Sequence, residues 1–212
     1  MVVAHKVVSK AEGCLRRLDT IEPGPRAIAL AAEQEKDPRL VQAILDESVR
    51  VVRAGHGVLV CESHHGFVCA NAGVDRSNLA EPDELLLLPK DPDGSARRLR
   101  SGLGETVGVR PAVVIADSFG RAWRLGQTDV AIGCAGLSVL DEWRGRDDRS
   151  GRPLRATAIA VVDAVAGAAD LARTKSSGQP AVLVRGLERF VAKGDGPGAQ
   201  ALRRPHEDDL FA

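Results

Sequence analysis

PAVVIADSFGRAWRLGQTDVAIGCAGL, residues 111–137, decides how this chain folds. Pro111 to Asp117 is an apolar run that ends in a carboxylate, the pattern of a buried strand. The remainder holds Arg121, Arg124, Gln127, Asp129 and four glycines, and reads as a Gly/Arg loop leaving the strand end. Such a loop suits an anionic ligand, because backbone N–H groups and guanidinium forks both bind phosphate or carboxylate. Around it the pattern is mixed. Val2 to Val8 reads as a short strand. Asp37-Pro38 is a helix N-cap with proline in the first helical position. Val41, Ile44, Leu45, Val49 and Val52 follow at helical spacing, with Gly55 as the stop. Gly57 to Glu62 and His65 to Ala70 read as a hairpin. Asp91 to Val107 carries an arginine-rich helix, and Thr157 to Arg173 a helix whose small residues pack closely on a sheet. Pro180 to Val184 is a further strand, and the tail from Lys193 is polar loop. Without strict βαβ alternation the expected class is mixed α/β (α+β), in a single 212-residue domain with room for two subdomains.

Composition narrows the function. Lys plus Arg equals Asp plus Glu at 29 each, where a nucleic-acid or membrane-surface binder carries a basic excess. Aromatic residues make up 3% of the chain and tyrosine is absent, which argues against a stacking platform for single strands. No apolar run approaches the ~18 residues that span a bilayer. MVVAHKVVSK lacks the pattern of an export signal, so the four cysteines are expected as thiols in a reducing cytoplasm.

Residues 61–69, CESHHGFVC, place two cysteines and two histidines together. Zinc takes four nitrogen or sulfur ligands in a tetrahedron. If His64-His65 is a two-residue turn, Cys61 lies opposite Val68 and Cys69 opposite Val60. The thiols then face opposite sides, and only an odd-length loop would bring them together. The stretch reads as half-buried thiols around a polar turn.

The carboxylates that follow carry more chemistry. Asn71 to Asp75 leaves a strand through a small-residue turn and presents Asp75 beside Gly73. Asp117 is read at a strand end, with Ser118 and Gly120 behind it. Two carboxylates so placed suit a hard cation, Mg2+ or Mn2+, which prefers oxygen and bridges phosphates. Strand-end aspartate is equally a common turn former. Arg144, Arg146, Arg152 and Arg155 extend a dense Arg/Gly/Asp region. There is no P-loop, and no G-x-S-x-G elbow.

These stretches together resemble the coenzyme F420-0:L-glutamate ligase (F420 gamma-glutamyl ligase) family. The likeness is carried by VVSKAEG at residues 7–13, NAGVDRSN at 71–78 and LLLLPKDPDGSA ending at Ala96. It continues through VIADSFGRAWRLGQTDVAIGCAGL from Val114, WRGRDDRSGRPLRATAIAVVDAVAGAADL from Trp143 and PAVLVRGL from Pro180. The resemblance implies an enzyme that uses GTP to phosphorylate the lactyl carboxylate of F420-0. The amine of L-glutamate then attacks the acyl phosphate, and gamma-linked glutamates follow. It implies Mg2+ or Mn2+, K+, and an intertwined homodimer. By motif, Asp75 and Asp117 are metal ligands and Ser118 contributes at a second ion. Lys10 contacts phosphate, and Asn78 and His5 lie against the nucleotide, His5 where a serine is common. Arg121 and Arg124 grip phosphate or a substrate carboxylate on grounds of charge. Ser118 replaces a usual threonine, and Ala164 a usual glutamate. The family pattern also has a nucleotide-contacting Gly-Leu-Pro segment ahead of VVSKAEG, which is expected either upstream of Met1 or lost by truncation. Two other readings stand beside the ligase. One is a catalytically silent nucleotide- or deazaflavin-binding homologue; the other is an amide ligase for a different carboxylate.

Overall fold

A computed structural model of the chain describes residues 1–209. In chain order the elements are β1 (Val2–Ala4), α1 (His5–Ala11), β2 (Leu15–Arg17), α2 (Pro25–Gln34), α3 (Pro38–Asp46), β3 (Ser48–Gly55), β4 (Val58–Ser63) and β5 (Val68–Ala70). They continue with β6 (Glu84–Leu86), α4 (Pro92–Val107), β7 (Val113–Arg121), β8 (Arg124–Ala135), β9 (Leu140–Glu142), β10 (Ala158–Ala160), α5 (Val161–Asp170) and β11 (Ala181–Val182). The fold is mixed α/β, as the sequence pattern predicts. Among the described residues no helix is long and apolar enough to cross a membrane. The chain divides into two compact units. The first comprises Met1–Ala4, Asp91–Ser118 and the described residues from Thr128 on; the second comprises His5–Lys90 and Phe119–Gln127.

The first unit is built on a four-stranded sheet of order β11-β1-β7-β8. β1 runs parallel to β7, with Val2 beside Val114 and Val3 beside Ile115, and antiparallel to β11. Val2, Val114, Ala116, Ala131 and Cys134 share one core with Val161, Val162, Val165, Ala166 and Ala169 of α5. The alanines of α5 let it lie close, as its composition suggests. Burial, with the nearby charge of Asp93, pushes the Cys134 thiol up to about 12.

The start of α4 ties the unit together. Asp91 caps the helix by accepting from Gly94 N at 2.8 Å. Asp93, buried in the first turn, accepts from the backbone N–H groups of Cys134 at 2.8 Å and Ala199 at 2.7 Å. One carboxylate thereby links α4, β8 and the C-terminal segment. Two turns further on, Arg100 pairs with Asp195 at 2.7 Å. Gly136, at φ 77°, is required where Arg100 passes, because a Cβ there would collide with the guanidinium.

The second unit holds the antiparallel sheet β3-β4-β5, the ribbon β2-β6 and helices α1 to α3. Its core gathers Leu18, Ile21, Ala27, Val41, Ile44, Leu59, Cys61, Val74 and Leu85. The Asp37 carboxylate accepts from Arg39 N at 2.8 Å, so the predicted cap on α3 forms.

Four local expectations are corrected. The strand opening at Val2 stops at Ala4, and His5, Val8 and Ser9 are buried at helical spacing on α1. α3 ends at Asp46, where Ser48 Oγ bonds back to Ile44 O at 2.5 Å. Val49 and Val52 therefore lie on β3 and are exposed. α5 begins only at Val161, because Ala158–Ala160 pair with β9. Most consequentially, β7 does not end at Asp117. It runs to Arg121 and returns from Arg124 as β8, so the Gly/Arg stretch is a hairpin. Main-chain pairing satisfies the strands whatever their side chains, so the hairpin extends past the apolar segment that feeds the core.

Replacing Asp93 by alanine leaves buried N–H groups of two segments unpaired. Urea unfolding is expected to show a loss of about 3 kcal/mol or more, against under ~1 kcal/mol for a surface change such as Arg203→Ala.

Candidate functional site

In the second unit a constrained turn leads into Asp75. Asn71, Ala72 and Gly73 all have positive φ. At Gly73 a Cβ would stand 2.7 Å from the Leu88 side chain, so the backbone approach requires glycine. The chain then straightens, and Asp75 bridges to Leu86 through two backbone hydrogen bonds of 2.9 Å. This pins the backbone under the Asp75 carboxylate. One carboxylate oxygen accepts from Ser77 N at 2.6 Å; the other is paired with the Lys6 ammonium. Lys6 also donates to Ser77 Oγ at 2.8 Å. Lys10 lies one turn along α1 on the same face and donates to the Asn78 carbonyl at 2.6 Å. α1 thus aims two ammonium groups at the 75–78 turn, and the structure brings Lys10, Asp75 and Asn78 together. His5 is buried at 1% exposure with Nδ1 3.3 Å from Ser9 Oγ, on the core side of the helix.

In the first unit Asp117 and Ser118 are consecutive residues of β7. Asp117 Oδ1 accepts from Ser118 N at 2.8 Å. The Ser118 hydroxyl donates to Asp129 Oδ1 of β8 at 2.7 Å, and Lys175 donates to Ser118 Oγ at 2.5 Å. The other oxygen of Asp129 is paired with Arg173, which also reaches Pro180 O at 3.3 Å. The side chains of Asp129 and Arg173 are only 3% and 9% exposed. An acid this buried requires such a partner, because an isolated carboxylate there would cost several kcal/mol.

Arg121 and Arg124 stand at the tip of the β7–β8 hairpin, within the second unit and both exposed. Arg121 donates to Leu125 O at 3.0 Å, closing the tip. Of the later arginines, Arg144 is paired with Glu142, which it holds down at about 2, and Arg146 stacks 5.1 Å over Trp143.

The cysteine–histidine stretch corrects the predicted register. Ser63 N bonds Phe67 O at 2.9 Å, so His64, His65 and Gly66 form a three-residue loop. Cys61 therefore lies directly opposite Cys69. His64 Nε2 sits 2.9 Å from Asp46 O and His65 Nε2 2.8 Å from Pro89 O. Among the described residues no three His, Cys, Asp or Glu side chains gather as a metal-holding group.

The sequence profile described as F420-0:Gamma-glutamyl ligase matches residues 1–186. Similarity over the whole of this chain extends to proteins named coenzyme F420:L-glutamate ligase. That of Methanothermobacter thermautotrophicus is 45% identical across all of this chain and 83% of its own length. That of Methanopyrus kandleri is 47% identical, covering all of this chain and 84% of its own, and that of Methanocaldococcus jannaschii is 40% identical, covering all and 83%. The chain belongs to the F420-0:gamma-glutamyl ligase family.

For this family member the oxygens of Asp75, Asp117 and Ser118 are hard donors, which fit Mg2+ or Mn2+ by chemistry. Sequence reasoning passed over Lys6, Arg173 and Lys175, and named Asp129 only as part of a loop. Asp129 did carry a signal, as the one charged residue in TDVAIGCAGL. The cations carried none, since a lone lysine or arginine reads as a solvated surface group.

Asp129→Ala strands the Arg173 guanidinium and is expected to cost about 3–5 kcal/mol. Lys6→Ala, at a partly exposed pair, is expected to cost about 1 kcal/mol or less. Denaturant titration of the two variants side by side checks the contrast.

Proposed function

We propose that the chain is a GTP-dependent ligase that forms an amide between coenzyme F420-0 and L-glutamate and then adds gamma-linked glutamates. The observation that carries the proposal is similarity over the whole of this chain to proteins named coenzyme F420:L-glutamate ligase.

The chemistry is a two-step condensation. A carboxylate oxygen of F420-0 attacks the γ-phosphorus of GTP, forming the acyl phosphate and expelling GDP. The glutamate amine then attacks the acyl carbon, loses a proton and displaces phosphate. Both anionic partners of the first step repel each other, so cationic groups must offset the charge as it moves. Lys10 is assigned to the phosphates, with Asn78 and His5 on the nucleotide. Arg121 and Arg124 are assigned to phosphate or substrate carboxylate. Asp75 and Asp117 are assigned as divalent-cation ligands, and Ser118 as a ligand of a second ion. When bound, Mg2+ or Mn2+ supplies positive charge to the phosphate oxygens. K+ and a homodimer belong to the same reading.

The test is mass spectrometry of a reaction containing F420-0, GTP, L-glutamate and Mn2+. A mass gain of one or more glutamates, with GDP formed, is the expected result. GDP and amide formed only on another carboxylate would favour the alternative substrate. Binding of GTP or F420-0 with neither GDP nor amide formed would favour a silent homologue. Asp117→Asn and Asp75→Asn are each expected to remove measurable GTP turnover while leaving the far-UV circular dichroism unchanged. Retained product formation by either variant would contradict its assignment as a cation ligand.

A further inference from the structure

The hydrogen-bond direction around Ser118 is set by its neighbours. A serine hydroxyl has one proton and two lone pairs; ammonium and guanidinium groups only donate. Lys175, 2.5 Å from Ser118 Oγ, must therefore point at a lone pair. The proton of Ser118 goes to Asp129 Oδ1 at 2.7 Å. Arg173 takes the other oxygen of Asp129, which holds the carboxylate as an acceptor for Ser118. The chain of donors thus runs from Lys175 to Ser118 to Asp129, with Arg173 closing the far end. It leaves the hydroxyl oxygen of Ser118 electron-rich on the side where the ammonium sits.

We infer that Lys175 is a built-in competitor for a divalent cation at Ser118. The inference rests on the proposed assignment of Ser118 as a cation ligand and adds a residue that works against that cation. A divalent ion and an ammonium group both seek the same oxygen lone pairs, and their like charges exclude each other at contact distance. The arginine is locked by burial, whereas Lys175 is exposed and lies within a turn closed by Ser177 N on Thr174 O at 3.2 Å. Its ammonium can leave Ser118 at small cost and regain water. The second unit repeats the arrangement: the carboxylate of Asp75, the other kind of proposed ligand, is paired with Lys6. In each unit a lysine thus contacts a proposed cation ligand, so ion binding at either position is an exchange of one cation for another.

The test is titration of the full chain with Mn2+, followed by electron paramagnetic resonance and calorimetry without nucleotide. Wild type is compared with Lys175→Met, Ser118→Ala and the double variant, each checked for folding by circular dichroism. Lys175→Met is expected to tighten Mn2+ binding roughly tenfold, the weight of one charge-assisted hydrogen bond. In the Ser118→Ala background the same change is expected to shift binding by less than about twofold, because the shared oxygen is gone. An unchanged Kd in Lys175→Met would overturn the inference while leaving the ligand assignment intact. An equal gain with and without Ser118 would also overturn it, by showing that Lys175 acts only through long-range charge. Absence of Mn2+ binding in all four proteins would overturn both the inference and the ligand assignment.

Discussion

A carboxylate held inside a sheet must be matched by charge and hydrogen bonds, and that requirement at Asp129 organises the polar cluster of the first unit. The side chain is 3% exposed, so water cannot do the work. Arg173 compensates the charge from the segment after α5, and Ser118 adds a hydrogen bond from the neighbouring strand. Meeting the demand of one buried acid fixes the rotamer of Ser118, anchors Arg173 and brings Lys175, two residues further on, to the hydroxyl. Buried pairs of this kind add little net stability over apolar packing, but they punish loss of either partner heavily. Their value here is geometric: they hold an oxygen in one orientation.

The second unit reaches a similar end by backbone means. Three consecutive positive-φ residues and the Asp75–Leu86 bridge set the Asp75 carboxylate on a rigid turn, and α1 supplies Lys6 and Lys10 from one face. Gly73 is the residue that permits the turn, because Leu88 fills the space a side chain would need. Strain concentrated at such a turn is characteristic of positions that hold a functional group in place.

Much of the fold was legible where local chemistry alone decides. The Asp37 cap, the apolar start of β7 and the small-residue α5 all follow from spacing and residue type. The failures share a cause: distant atoms settled the outcome. The loop at His64-His65 has three residues while its histidines bond to Asp46 O and Pro89 O, carbonyls far off in sequence. That one-residue difference turned Cys61 and Cys69 to the same side. The outer part of the β7–β8 hairpin was hidden because Trp123 and Leu125, 82% and 99% exposed, break the alternation a half-buried strand would show. In the site, the aspartates stood out as carboxylates beside glycines. Lys6 and Lys175 could not, since only the folded chain shows that one meets Asp75 and the other Ser118.

The most direct measurement of the central claim is X-ray diffraction at the manganese edge from crystals of the full chain grown with Mn2+ and GTP. The account predicts an anomalous peak in contact with the Ser118 hydroxyl, with the Lys175 ammonium withdrawn from it and the Asp129–Arg173 pair unchanged. A bound ion elsewhere, with Lys175 still seated on Ser118, would contradict it.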